Sequence, residues 1–227
     1  MTLLDFPGRV ACTVFLGGCN FRCPFCHNSE LLDGKCEQVM DEEALLLFLK
    51  KRQGILEGVC ITGGEPTLHP DLPDLLRRIK ELGYPVKLDT NGYRPDVLRK
   101  LVEEGLVDYV AMDIKNGPED YGEAAGLSKI DLSRIEESIR FLARGAVDYE
   151  FRTTVVAKLH NDASMAQMGK WLCDVAGGPV RKLFLQKFVD RDTVMFAGLS
   201  APEDAEMQRF VSILAPAAET VKIRGTD

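Results

Sequence analysis

Residues 58–83 read GVCITGGEPTLHPDLPDLLRRIKELG. GVCIT is a short apolar run of the kind that forms a buried strand. Gly63 and Gly64 break it. HPDLPDLLRRIKELG then reads as a helix stopped by a glycine, Gly83. A strand, a glycine-rich turn and a helix make one βα unit, and the same rhythm repeats on both sides of it. Upstream, RVACTVFLG (Arg9 to Gly17) is strand-like, and DEEALLLFLKKRQG begins with acids and ends with basic residues and a glycine, which suits a helix and its dipole. Downstream, PVKLDT, VDYVAMDIK, YEFRTTVVA and KLFLQKF read as strands, separated by the helical stretches RPDVLRKLVEEG, DLSRIEESIRFLARG and ASMAQMGKWLCDVAGG. APEDAEMQRFVSILA is a last helix and TVKIR a short closing strand. Strands that alternate with helices end to end call for an α/β fold with a parallel sheet. Six βα units plus a terminal strand suit a partial (β/α)6 TIM-like barrel rather than a closed eight-unit one. No long linker or low-complexity segment interrupts the rhythm, so residues 1–227 are expected to form a single domain.

Composition narrows the class. The 227 residues are 45% hydrophobic and 28% charged, enough apolar material for a sizeable core in an ordinary globular protein. The formal charge of -7, without a basic run, argues against long-range attraction to nucleic acid. No apolar stretch approaches the length that spans a bilayer, so no membrane partner is expected. Seven cysteines are too few for a disulfide scaffold, and their number is odd, which favours a reducing, cytoplasmic setting and a metal or redox role. VACTVFLGGC has the look of a lipoprotein leader's end, but Asp5, Pro7 and Gly8 stand where a basic leader is expected.

In parallel α/β folds ligands bind beyond the carboxyl ends of the strands, and the unusual residues of this chain gather there. A cysteine loop follows the first strand, TGGEPT (Thr62 to Thr67) the second and DTNG (Asp89 to Gly92) the third. MDIK (Met112 to Lys115) ends the fourth, FRTT lies in the fifth, and QKF (Gln186 to Phe188) ends the sixth. Each has an ordinary reading as well. The glycine pair can be a tight turn, Asp89 and Asp113 can be caps, and Lys115 can be a solvated surface charge. Arg152, inside an otherwise apolar strand, calls for a partner in the pocket, because an unpaired buried charge is costly. Cys12 and Cys60 fit small buried hydrophobes, and His69 and His160 fit structural positions.

The cysteine loop, GGCNFRCPFCHNSE from residue 17, is more specific. Cys19, Cys23 and Cys26 fall within eight residues, and His27 follows at once. A closed structural zinc site takes four ligands. Cys36 could supply the fourth, whereas His27 is poorly placed next to Cys26. Three thiolates also suit an iron–sulfur cubane with one iron left open to a ligand. On the cysteines alone both readings stand.

C-x3-C-x2-C followed by GGEP after the next strand resembles the radical S-adenosylmethionine (SAM) superfamily. LLDFPGRVACTVFLGGCNFRCPFCHN, ITGGEPTL, KLDTNG and VDYVAMDIK are similar, within it, to the glycyl-radical-enzyme activases of the pyruvate formate-lyase-activase type, and most of all to those that activate anaerobic ribonucleoside-triphosphate reductases. The resemblance covers nearly the whole chain and implies the radical SAM fold. It implies that Cys19, Cys23 and Cys26 hold a [4Fe–4S] cluster whose fourth iron takes the amino and carboxylate groups of SAM. By the same resemblance Phe25 lies against the adenine, with Cys26 and His27 nearby. Gly63, Gly64 and Glu65 receive the methionine ammonium. Asp89, Thr90, Asp113 and Lys115 organise the carboxylate and ribose end, with a monovalent cation, and Gln186 and Lys187 close the adenine side. The implied chemistry is reductive cleavage of SAM to a 5′-deoxyadenosyl radical that takes a glycine Cα hydrogen from a partner glycyl radical enzyme, with a flavodoxin or ferredoxin as electron donor. Two other readings remain at this point: a radical SAM enzyme acting on a small molecule, similar in size to 7-carboxy-7-deazaguanine synthase, and a non-catalytic zinc or iron–sulfur module. The second leaves GGEP and the polar strand ends without a task.

Overall fold

In the computed structural model, which describes residues 2–33 and 36–225, seven strands form one parallel sheet in the order β1 to β7. They are β1 (Ala11–Leu16), β2 (Gly58–Gly63), β3 (Val86–Thr90), β4 (Tyr109–Asp113), β5 (Asp148–Val155), β6 (Val180–Lys187) and β7 (Ala218–Arg224). The connecting helices are α1 (Glu42–Lys51), α2 (Leu72–Glu81), α3 (Pro95–Glu103), a short α4 (Tyr121–Ala125), α5 (Leu132–Ala143), α6 (Asp162–Ala176) and α7 (Asp204–Leu214). A sheet whose order follows the sequence, with crossovers all of one hand, places every helix on the same face. The consecutive helices accordingly pack side by side, α5 on α6 and α6 on α7. The sheet order ends at β1 and β7, so the barrel is open along one side.

Local chemistry explains the helix limits. Asp41 caps α1 by accepting from the Ala44 amide at 2.8 Å. Asn161 opens α6 with a reciprocal box to Ser164. α6 ends at Gly177 in the left-handed conformation. Where α6 meets α7, a Cβ on Gly169 would come within 3.1 Å of Leu214, so glycine sets the closeness of that contact.

The hydrophobic core lies between the helices and the outer face of the sheet. Val59, Ile61, Leu88, Val110 and Leu183 are fully buried there against Leu76, Ile79, Leu101, Ile139 and Leu172. The alternate residues point into the concave face, which is polar. Lys87 and Asp89 of β3, Asp113 of β4 and Glu150 and Arg152 of β5 belong to it, as their mutual contacts establish. At its amino-terminal end Phe6 plugs the barrel, with its ring 6.2 Å from that of Tyr109. A Cβ on Gly58 would fall 2.8 Å from the Phe6 ring, so the plug fits against bare backbone. The opposite end, where the strands terminate, stays open.

Candidate active site

The cysteine loop leaves β1 and is held by its surroundings rather than by itself. The amides of Gly18 and Cys19 donate to the carbonyls of Leu31 and Leu32, at 2.6 and 3.1 Å. The Arg22 amide donates to Ala125 at 2.9 Å, and the Arg22 guanidinium donates to the carbonyls of Cys19 (2.6 Å) and Phe21 (2.8 Å). Gly126, at φ +67°, sits so close beneath that a Cβ would lie 1.9 Å from the Arg22 carbonyl oxygen. A turn from Cys23 O to Cys26 N, 3.1 Å, brings those two thiols to one wall. Cys19, Cys23 and Cys26 all line a cleft of about 190 Å³ that opens to the surface. Burial pushes the Cys23 thiol up to about 11, with Lys115 pulling the other way.

The next strand end is built for close chain approach. Gly63 has φ +118°, and a Cβ there would lie 2.4 Å from the Leu16 carbonyl oxygen; one on Gly64 would lie 2.0 Å from that of Gly18. The amides of Gly64 and Glu65 donate to those same two carbonyls, each at 2.8 Å. The glycine pair is thus required by the passing cysteine-loop backbone, whatever ligand occupies the cleft.

The Glu65 carboxylate is met by protein donors. It is fully buried and outside the cleft lining. One carboxylate oxygen accepts from the Thr67 amide (3.1 Å), the Thr67 hydroxyl and the Thr90 hydroxyl (2.7 Å), and the other from the Asn91 amide (2.6 Å). Burial leaves its carboxyl above the ordinary value even with these donors around it. Both oxygens accept from protein donors, so Glu65 ties the loop after β2 to the loop after β3. Asn91 extends the tie to the cysteine loop through Asn20, at 2.8 Å.

A row of alternating charges crosses the concave face below the cleft. Lys87 pairs with Asp89, Asp89 with Arg152 (3.1 Å), Arg152 with Asp113 (3.0 Å), and Asp113 with Lys115 (2.9 Å). Burial alone would raise the Asp113 carboxyl, but Lys115 and Arg152 outweigh it and hold it down to about 2. Burial likewise opposes the charged forms of Lys115 and Arg152, and their carboxylate neighbours override it and raise both. Each of the four oxygens of Asp89 and Asp113 faces a cationic partner. Three cations against two anions leave the row with a surplus positive charge beside the cleft, which favours an anionic ligand group such as a carboxylate. Lys115 also lies 6.0 Å over the Phe25 ring. His160 fixes the Lys115 backbone. Its Nδ1 accepts from the Val156 amide (3.0 Å), which leaves Nε2–H to donate to the Lys115 carbonyl (2.9 Å).

Of the residues singled out in the sequence, the structure brings Cys19, Cys23, Cys26, Phe25, His27 and the glycine pair to one cleft, together with Asp89, Thr90, Asp113 and Lys115. Gln186 and Lys187 are not among its lining residues, and Lys187 is engaged by Asp204 of α7 at 2.5 Å. Thr90 spends its hydroxyl on Glu65. His27 stacks on Phe188 at 5.6 Å and bonds the Val189 carbonyl at 2.7 Å, so its ring is taken up by the loop after β6. Cys36 is exposed and outside the cleft lining, which removes it as a fourth ligand. Phe21, Asn28, Thr62, Asn91 and Thr154 also line the cleft; they lie within the strand-end stretches read from the sequence but were given no role there. Arg152 lines it too, and its charge inside an apolar strand was the signal.

Among the described residues no three His, Cys, Asp or Glu side chains converge as they would around a single metal ion. The donor set, three thiols beside a positive ledge, is consistent with an iron–sulfur cluster and a carboxylate-bearing ligand.

Comparison with known proteins gives the family. The model of the radical SAM superfamily matches residues 13–172. A protein of Methanocaldococcus jannaschii, named as a candidate glycyl-radical enzyme activating enzyme, is 30% identical over 99% of this chain and 92% of its own length. The 7-carboxy-7-deazaguanine synthase of Thermococcus kodakarensis is 30% identical over 76% of this chain and 75% of its own. The fold is similar to that of Streptococcus suis SuiB solved with S-adenosylmethionine, with a TM-score of 0.73 at 13% identity, over 97% of this chain and 51% of SuiB.

Proposed function

The chain belongs to the radical SAM superfamily, an enzyme family that uses a [4Fe–4S] cluster and SAM, and from that premise we propose that it is the activase of a glycyl radical enzyme, with an anaerobic ribonucleoside-triphosphate reductase as the partner. The observation that carries the reading is the match, nearly end to end on both chains, to a relative named as an activator of such enzymes. Cys19, Cys23 and Cys26 would hold the cluster, which would supply the electron for reductive cleavage of SAM and so the oxidant for removing a glycine Cα hydrogen from the partner.

The residues of the chain supply position and exclusion. Cys19, Cys23 and Cys26 are the ligands in this reading. Lys115 and Arg152, held charged by Asp113 and Asp89, receive the methionine carboxylate of SAM. Phe25 offers an apolar wall to the adenine. Glu65 acts at one remove, by holding the loops that carry Gly64 and Asn91 in register. Fixed charges and committed hydrogen bonds around the cleft need no reorganisation when a ligand arrives. The side of the barrel between β1 and β7 leaves an approach for a loop of the partner. A second reading, chemistry on a small molecule, draws on the similarity to the deazaguanine synthase.

Anaerobic reconstitution with iron and sulfide, reduction, and addition of SAM tests the reading through 5′-deoxyadenosine formation and electron paramagnetic resonance. A glycyl doublet that appears only with the reductase is the expected result. Cleavage of SAM stimulated by a small purine-like substrate, without a doublet, would replace the activase reading with the second.

A further inference from the structure

The concave face changes character along β6 and β7. Cross-strand register places Arg152 beside Phe184, Phe184 beside Lys222, Lys182 beside Thr220, and Gln186 beside Arg224. Side-chain contacts confirm the shared face. The Arg224 guanidinium lies 3.5 Å over the Phe184 ring, and the Lys182 ammonium 5.4 Å over that of Tyr109. Arg224 also clasps the fully buried Glu150, Nη2 to Oε2 at 2.8 Å, and the Tyr109 hydroxyl donates to the same carboxylate at 2.7 Å. Asp148, at the lower rim, has Arg181 as its partner at 3.6 Å.

Among the described residues no carboxylate lies within 4.0 Å of Lys182 or Lys222. Lys182 is half-buried and Lys222 exposed. In a chain of net charge -7, Arg152 is taken up by Asp89 and Asp113 and Arg224 by Glu150, so Lys182 and Lys222 are the charges of this wall without a carboxylate partner. It begins at the open edge of the barrel and reaches the cleft, which Arg152 and Thr154 line.

We propose that the β6–β7 wall, with Lys182 and Lys222 as its free charges, is a docking surface for an acidic segment of the partner protein on its way to the cleft. Charge complementarity selects the occupant. Two ammonium groups without carboxylate partners gain from meeting carboxylates and would repel a basic segment. The inference rests on the activase reading, because a partner that inserts a loop is what gives a wall beside the cleft its use.

The test uses the reconstituted holoenzyme and a short fluorescein-labelled peptide that alternates Glu with Val, followed by fluorescence anisotropy. Binding that weakens as salt is raised, and about tenfold or more in the Lys182→Glu/Lys222→Glu variant, is expected. The matching Lys–Val peptide should not bind. Equal affinity of the variant, or no binding of the acidic peptide, overturns the inference. Preference for a single-stranded oligonucleotide over the peptide overturns it in favour of nucleic acid. A concentration-dependent dimer that the variant loses overturns it in favour of a second copy of the chain. SAM cleavage without partner, measured on the same samples, separates the two levels. If 5′-deoxyadenosine forms and the peptide fails to bind, only the docking surface is refuted; if none forms, the activase reading falls whatever the peptide does.

Discussion

Glu65→Gln separates two roles for the acid of the GGEP stretch. In the structure one carboxylate oxygen serves three donors, from Thr67 and Thr90, and the other serves the Asn91 amide alone at 2.6 Å. Glutamine keeps the size and one oxygen. It then presents an NH2 to whichever donor faced the lost oxygen, and that donor is left unpaired in a site without solvent. Losing one charge-assisted hydrogen bond and stranding a buried donor costs about 2–4 kcal/mol. For a chain of this length that is a fall in Tm of roughly 4–16 °C. The effect belongs to the protein without cofactor, because every partner of Glu65 is protein. The chain has one tryptophan, Trp171, which is buried in α6 and edge-on to Tyr121, so its fluorescence reports unfolding in a urea titration of the metal-free protein. If Glu65 instead served a ligand ammonium directly, the variant would unfold at the wild-type urea concentration and lose only SAM affinity. That outcome would refute the positioning role.

Alanine at Cys19, Cys23 or Cys26 should each lower the iron and sulfide content after anaerobic reconstitution, whereas Cys36→Ala and Cys173→Ala should reconstitute like wild type; iron loss in the Cys173 variant would remove the ligand assignment. Gly64→Ala places a methyl 2.0 Å from the Gly18 carbonyl oxygen, so the metal-free protein should unfold at a lower urea concentration. An unchanged midpoint would mean that the two loops can separate freely. Arg224→Met leaves the buried Glu150 carboxylate with Tyr109 as its remaining partner and should cost about 3 kcal/mol in denaturant titration. Glu150→Gln in the same background should recover part of that loss.

Much of the fold was legible because βα units write their period directly into the chain. All seven strands fall where apolar runs predicted them, and the errors are at the ends: β1 is Ala11–Leu16 rather than Arg9–Gly17, and β7 begins at Ala218, before Thr220. The helix α4 escaped notice because five residues, YGEAA, carry no readable periodicity. The cleft was legible wherever a residue type was unusual for its place, as with three thiols in a loop or an arginine in a strand. It was illegible where the same chemistry has two outlets. A glutamate after a glycine pair can face a ligand or the protein, and only the positions of Thr67, Thr90 and Asn91 decide. Gln186 and Lys187 were placed beside the adenine by the family resemblance, but the end of β6 also borders the next helix, and Asp204 of α7 engages Lys187. Asn91 and Thr154 are common polar residues whose importance comes from neighbours far away in sequence.

The support beneath the cysteine loop bears on how such a protein would survive air. The strands on either side, the carbonyls of Leu31, Leu32 and Ala125, and the Arg22 guanidinium shape the segment from Gly18 to Cys26 through protein contacts. Many small metal domains collapse when stripped, because the ion is their only scaffold. Here oxidative loss of iron would leave a standing mould with its thiols still in place. The damage would then be a matter for resupply of iron and sulfide, and the polypeptide need not be made again.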